Sequence, residues 1–113
     1  GQKINTFSIG LPATITIGTP GYMPTEQERG KPRPNSDIYA LGIVAIQGLT
    51  GIHPTQLDTD PDTCEILWRH YCKTSPELAQ IVDNMVRYSF KDRYQSATEV
   101  LAALEPLANR YQP

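Results

Sequence analysis

Cysteine is nearly absent. Cys64 and Cys72 are the only two in 113 residues, and they are not spaced as C-x-x-C. That excludes a disulfide scaffold and a paired-thiol redox motif, and it fits a reducing compartment. No apolar run approaches the roughly 18 residues of a membrane span, and the N-terminus lacks the charged and apolar regions of a signal peptide. A charge excess is also missing, because ten basic residues are set against twelve acidic ones. The net charge of −2 gives no electrostatic footprint for nucleic acid or an anionic membrane. The chain is therefore expected to be soluble and cytoplasmic, with neither of those partners.

What is present is an apolar content of 39%, enough for one small globular unit or part of one. Residues 1–17 are rich in Ser, Thr and Gly, and Thr14-Ile15-Thr16-Ile17 alternates in polarity too briefly for a strand, so this stretch reads as a flexible loop. Pro24 to Arg29 allows a turn or two of helix, and Lys31-Pro32-Arg33-Pro34 then forces a connecting loop. The strongest helix is Ser36 to Thr50. Ser36 or Asp37 is placed to cap it, and Gly51 is placed to end it in a left-handed conformation. From Ile38 to Leu49 nearly every residue is apolar or small, Tyr39 and Gln47 being the main exceptions, so this helix should be buried on most sides.

Asp62 and Glu65 match a capping pair and suggest a short helix to about Tyr71. Ser75-Pro76-Glu77 opens an amphipathic helix carrying Leu78, Ile81, Val82, Met85 and Val86 to about Tyr88. The last helix begins at the capping box Ser96-Ala97-Thr98-Glu99. It places Ala97, Val100, Leu101, Leu104 and Leu107 or Ala108 on one face, and Pro106 is expected to kink or end it. The fold class is mainly α: a central buried helix with amphipathic helices around it.

Three blocks carry chemical meaning. Gly18-Thr19-Pro20-Gly21-Tyr22-Met23-Pro24-Thr25-Glu26-Gln27 comes first, then Asn35-Ser36-Asp37-Ile38-Tyr39-Ala40-Leu41-Gly42, then Lys91-Asp92-Arg93-Tyr94. In that order they resemble the helical, large-lobe part of a bacterial, eukaryotic-like serine/threonine protein kinase. The resemblance divides the chain into a flexible activation-segment tail at 1–17, a partial kinase domain at 18–110 and a tail at 111–113. It implies that Gly18, Thr19, Pro20, Gly21 and Tyr22 form the substrate-docking loop. Thr19 would support catalysis by meeting the aspartate and lysine of a catalytic loop, which favours serine/threonine over tyrosine specificity. Glu26 would pair with Arg93. Asp37, which by itself reads as a helix cap, would accept hydrogen bonds from catalytic-loop amides. Pro24-Thr25 departs from the family's Ala-Pro, and Thr25 is then placed to cap the short helix.

The same resemblance implies a parent enzyme that transfers the γ-phosphate of ATP to Ser/Thr hydroxyls of protein substrates, with Mg2+ neutralising phosphate charge. The glycine-rich loop, the nucleotide-contacting lysine, H-R-D and D-F-G of such enzymes all precede this region, and none occurs in residues 1–17. By itself the chain is expected to bind no ATP or metal and to be inactive. Its partners would be the remainder of the kinase domain and the protein substrate. Any membrane tether of the parent would lie outside it. The alternative is a non-catalytic scaffold or pseudokinase module whose helical surface recruits partners. Cys64, His70 and Cys72 lack zinc-finger spacing; the two cysteines read as packing residues, His53 as structural, and Trp68 and Tyr71 as core aromatics in preference to a partner or substrate surface. Thr6, Ser8, Thr14 and Thr16 lie where such kinases carry activation-loop phosphates, with Thr14 and Thr16 favoured. Phosphopeptide mapping of the active full-length protein is expected to find phosphate on Thr14 or Thr16; two unmodified threonines would remove that assignment.

Overall fold

The computed structural model describes residues 6–7, 15–16, 21–31 and 33–110. Thr14, Gly18, Thr19 and Pro20 lie outside the described residues, as does the tail at 111–113. The stretch expected to be a loop carries a short ladder: β1 (Thr6–Phe7) runs antiparallel to β2 (Ile15–Thr16), in register Thr6 with Thr16 and Phe7 with Ile15. Each strand is two residues long, below what an alternation pattern can reveal.

Helix α1 (Thr25–Glu28) follows the docking block. Its N-cap is Pro24 and not Thr25, which occupies the first helical position. The chain then bends through Gly30, which has a positive φ, and enters α2 (Ser36–Thr50). Asn35, not Ser36 or Asp37, is the N-cap of α2, and it makes no side-chain capping bond. The Ser36 hydroxyl is used elsewhere: it accepts the Arg33 amide at 2.9 Å and donates to Glu26 at 2.9 Å. Gly51 closes the helix at φ 72°, its amide returning to the Gln47 carbonyl at 2.8 Å. Ile38, Ala40, Ile43, Val44 and Ile46 are buried, as the apolar composition requires.

The helix expected between Asp62 and Tyr71 does not form. In its place β3 (Asp58–Thr59) pairs antiparallel with β4 (Ile66–Leu67), and a single 3-10 turn spans Arg69–Tyr71. Both capping groups are diverted. The Asp60 carboxylate takes the amides of Asp62 and Thr63 at 2.8 and 3.1 Å, which closes a tight turn. Glu65 reaches away from the turn to the Tyr88 amide at 3.2 Å. Cys64 adopts φ 64°, a left-handed conformation that no helix continues through.

Helix α3 (Pro76–Met85) starts where expected, with Ser75 Oγ accepting the Leu78 amide at 3.2 Å. It stops short of Tyr88 because the Arg87 and Tyr88 carbonyls turn inward to an arginine described below. Helix α4 (Ala97–Arg110) runs through Pro106 instead of ending there. Pro106 and Ala102 are both exposed, so the carbonyl freed by the missing N–H faces water. Ser96 accepts the Glu99 amide at 3.2 Å, while the Glu99 carboxylate returns to Gln95, one residue before the expected partner. Of the apolar face read for α4, Val100 is buried and Leu101 is 67% exposed.

The core joins Tyr22, Ile43, Val44, Ile46, Trp68, Ala79, Val82 and Val86, with α2 packed on α3 and α3 on α4. The α2–α3 contact is close enough to require glycine. A Cβ on Gly42 would stand 2.5 Å from Val86 Cγ1 and 2.8 Å from Met85 Cβ. Gly42→Ala is therefore expected to lower the denaturant midpoint, by roughly 1–3 kcal/mol, although alanine is the better helix former. An unchanged midpoint would mean that α3 can retreat without loss.

Candidate functional site

Two consecutive residues of the first block, Gly21 and Tyr22, are seated on the end of α2 and the turn that follows it. Gly21 has φ 91°, and a Cβ there would meet Pro54 at 3.1 Å. Glycine is thus required both by backbone conformation and by the proximity of Pro54. The Tyr22 ring is in the core, and its hydroxyl donates to the Gln47 side-chain carbonyl. Burial pushes the Tyr22 phenol above its ordinary pKa against the opposing effect of that hydrogen bond, so it is neutral at physiological pH. The His53 ring stands edge-on to Tyr22, 6.2 Å between centroids. His53 also caps the 3-10 turn Pro54–Gln56 by accepting the Thr55 amide at 3.2 Å.

Gln47 anchors the Tyr22 hydroxyl, a contact that the motif reading missed. Its signal was visible, since it is one of the few polar groups in an otherwise apolar helix, and such a group needs a partner. Beside the loop a concavity of about 310 Å³ opens between Gly21, Met23 and Thr25 on one side and Pro54, Ile66 and Tyr88 on the other. A hollow of about 350 Å³ adjoins it across Ile66, over Trp68. The polar groups there are already committed: Trp68 Nε1 donates to Asp83 at 2.7 Å, and Arg69 makes a two-pronged ion pair with the same carboxylate. The docking-side concavity is the better candidate.

Beneath α1 lies the ion pair Glu26–Arg93. Both residues are buried, and Arg93 Nη1 donates to Glu26 Oε2 at 2.7 Å while Nη2 donates to Oε1 at 3.3 Å. The planar guanidinium fork makes this two-point contact possible. Its remaining donors reach the carbonyls of Arg87, Tyr88 and Asn35, and its plane lies 5.1 Å from the Tyr39 ring centroid. Burial alone would raise the Glu26 pKa. The hydrogen bonds from Arg93 and Ser36, with the backbone and the Arg93 charge, outweigh it and hold the carboxyl below its usual range. Asn35 completes the knot, its amide donating to the Phe90 and Tyr94 carbonyls at 2.9 and 3.0 Å.

Asp37 is exposed at the first turn of α2. Leu41, one turn further on, is 39% exposed. Mg2+ finds no cluster of ligands among the described residues. No group of three or more metal-ligating side chains converges among them, and Glu26, Asp60 and Asp83 are each held by protein donors. No helix of the described residues is long and apolar enough to cross a membrane.

The chain is 44% identical over its whole length to serine/threonine-protein kinase PknA of Nostoc sp.. It is 45% identical over 81% of its length to serine/threonine-protein kinase C of Synechocystis sp., and 36% identical over 89% to kinase B of that organism. The chain is homologous to bacterial serine/threonine protein kinases. It spans only 20%, 17% and 18% of those three relatives. Its mainly helical architecture is that of part of a kinase large lobe. No family model matches the chain, and no solved structure matches it.

Breaking the buried pair from one side should be costly. Arg93→Ala leaves a desolvated carboxylate and orphaned carbonyls, and is expected to destabilise by roughly 3–5 kcal/mol in denaturant titration. Because the Glu26 pKa is lowered in the folded state, its contribution is complete above the unfolded carboxylate value, about 4.3, and is lost as pH falls through the folded value. Glu26→Gln should flatten that part of the acid-unfolding profile; a profile identical to the wild type would count against the pair.

Proposed function

We propose that the full-length protein transfers the γ-phosphate of ATP to serine or threonine hydroxyls of proteins, and that this chain supplies the acceptor-docking loop and its helical support. The observation that carries the reading is the seating of Gly21 and Tyr22 on α2 and Pro54 beside an open concavity of mixed polar and apolar lining, in a chain homologous to such kinases. Phosphoryl transfer depends on positioning and electrostatics more than on covalent participation by the protein. A loop anchored through a buried tyrosine holds an extended acceptor at low entropic cost, because its own conformation is already set.

In this reading Gly18, Thr19 and Pro20 continue the loop, and Thr19 supports catalysis from it. Glu26 and Arg93 hold the loop's far end in place, and Asp37 meets the catalytic loop. Thr14 and Thr16 are candidate phosphorylation sites in an activation segment at 1–17, with the partial kinase domain at 18–110. ATP and Mg2+ bind the parent outside the described residues, and the chain by itself is inactive. The cytoplasm is the compartment this assignment implies.

The test is phosphate transfer from magnesium-ATP to a generic serine/threonine substrate by the full-length natural protein, with the 113-residue chain as control. Transfer by the full-length protein alone is the expected result. Silence in both, with no nucleotide binding, would replace the kinase with a scaffold that recruits partners.

A further inference from the structure

We propose that the surface around Phe90 is a second docking site, which takes an acidic segment of the acceptor protein at a distance from the modified hydroxyl. This rests on the docking role proposed above and adds a substrate class to it. The loop after α1 brings Arg29, Lys31 and Arg33 to the surface, and the turn before Arg93 brings Lys91. The two stretches are distant in sequence and meet at one ring: the Arg33 guanidinium carbon stacks 4.5 Å from the Phe90 centroid, and Lys91 follows Phe90 in the chain. Arg29 and Phe90 border a concavity of about 190 Å³.

The charges there are uncommitted. Among the described residues none of Arg29, Lys31, Arg33 and Lys91 forms an ion pair, whereas Arg69, Arg93 and Arg110 do. Glu26, the nearest buried acid, is neutralised by Arg93. Glu28 and Asp92 are the other acids in these stretches, so cations predominate locally although the chain as a whole carries −2.

Position makes the patch relevant to docking. Thr25 and Tyr88 line both this concavity and the one beside Gly21 and Met23. The two hollows are thus neighbours across a shared wall, and an extended peptide leaving the first crosses Thr25 and Tyr88 to reach Arg29 and Phe90. The cations come from two separate stretches of chain, Arg29 to Arg33 and Lys91, and not from one turn. That arrangement suits several carboxylates on an extended chain better than a single anion. Exposed charges of this kind act on encounter and on weak, salt-sensitive affinity.

The experiment uses the full-length natural protein and two acceptor peptides with the same serine, one bearing a glutamate-rich tail and the other glutamines at the same positions. The variants are Arg29→Glu/Lys31→Glu/Lys91→Glu and the milder Arg29→Gln/Lys31→Gln/Lys91→Gln; Arg33 is kept because it packs on Phe90. The reversal variant is expected to raise KM for the glutamate peptide, relative to the glutamine peptide, by about ten-fold, with kcat little affected and the neutral variant in between. Fluorescence anisotropy of the glutamate peptide with its serine replaced by alanine reads docking without chemistry. Binding should weaken with salt and be lost in the reversal variant. Equal binding by the wild type and both variants would overturn the proposal, as would binding to phosphatidylserine vesicles with none to the peptide. Reversal-sensitive binding without phosphate transfer would keep the surface and remove the kinase reading. Transfer indifferent to the peptide tail would do the opposite.

Discussion

One buried ion pair ties the two ends of the described fold together. Glu26 sits in the first helix and Arg93 just before the last, and neither has water to fall back on. A charge taken out of solvent must be met in full, so every neighbour is recruited: the Ser36 hydroxyl for the carboxylate, and the carbonyls of Asn35, Arg87 and Tyr88 for the guanidinium. That demand has visible effects on secondary structure. It draws Ser36 away from capping α2, and it ends α3 before Tyr88 so that the Arg87 and Tyr88 carbonyls can point inward.

Residues 21–26 depend on this knot from one side and on α2 from the other. Residues 21–24 lead directly into α1, whose Glu26 is clamped, while Tyr22 reaches down to Gln47 and Gly21 rests on Pro54. This stretch therefore has fixed points at Gly21, Tyr22 and Glu26 and little freedom between them. A rigid support beneath a surface loop suits the acceptor-docking role proposed above, since small displacements at a reacting centre are costly. Helix α2 can serve as that support because it is packed against α3 closely enough to exclude even a methyl group at Gly42.

Some elements were legible because their signals are local. The limits of α2 follow from a nearly continuous apolar run closed by Gly51, and the start of α3 follows from Ser75-Pro76, where a hydroxyl cap precedes a residue with no amide to satisfy. The Glu26–Arg93 pair was suggested by resemblance to kinases, and no local rule links residues 67 apart. The stretch from Asp58 to Tyr71 was misread because Asp62 and Glu65 have the right spacing for a capping pair, yet Asp60 and Tyr88 compete for the same groups. Gln47 was noticed only as an exception in an apolar helix, since its partner lies 25 residues earlier.

The sequence by itself determined the mainly helical class, the buried character of α2, the positions of Gly21 and Gly51 where the backbone turns left-handed, and the order of blocks shared with serine/threonine kinases. These depend on composition, periodicity and the conformational freedom of single residues, all of which act within a few positions. Only the tertiary structure decided which hydroxyl caps a helix and which meets a carboxylate, where α3 stops, and that Thr25 and Tyr88 wall two adjoining hollows. Each of those outcomes is a competition for one hydrogen-bonding group or one patch of surface between near and distant partners. The winner is set by which groups burial deprives of water.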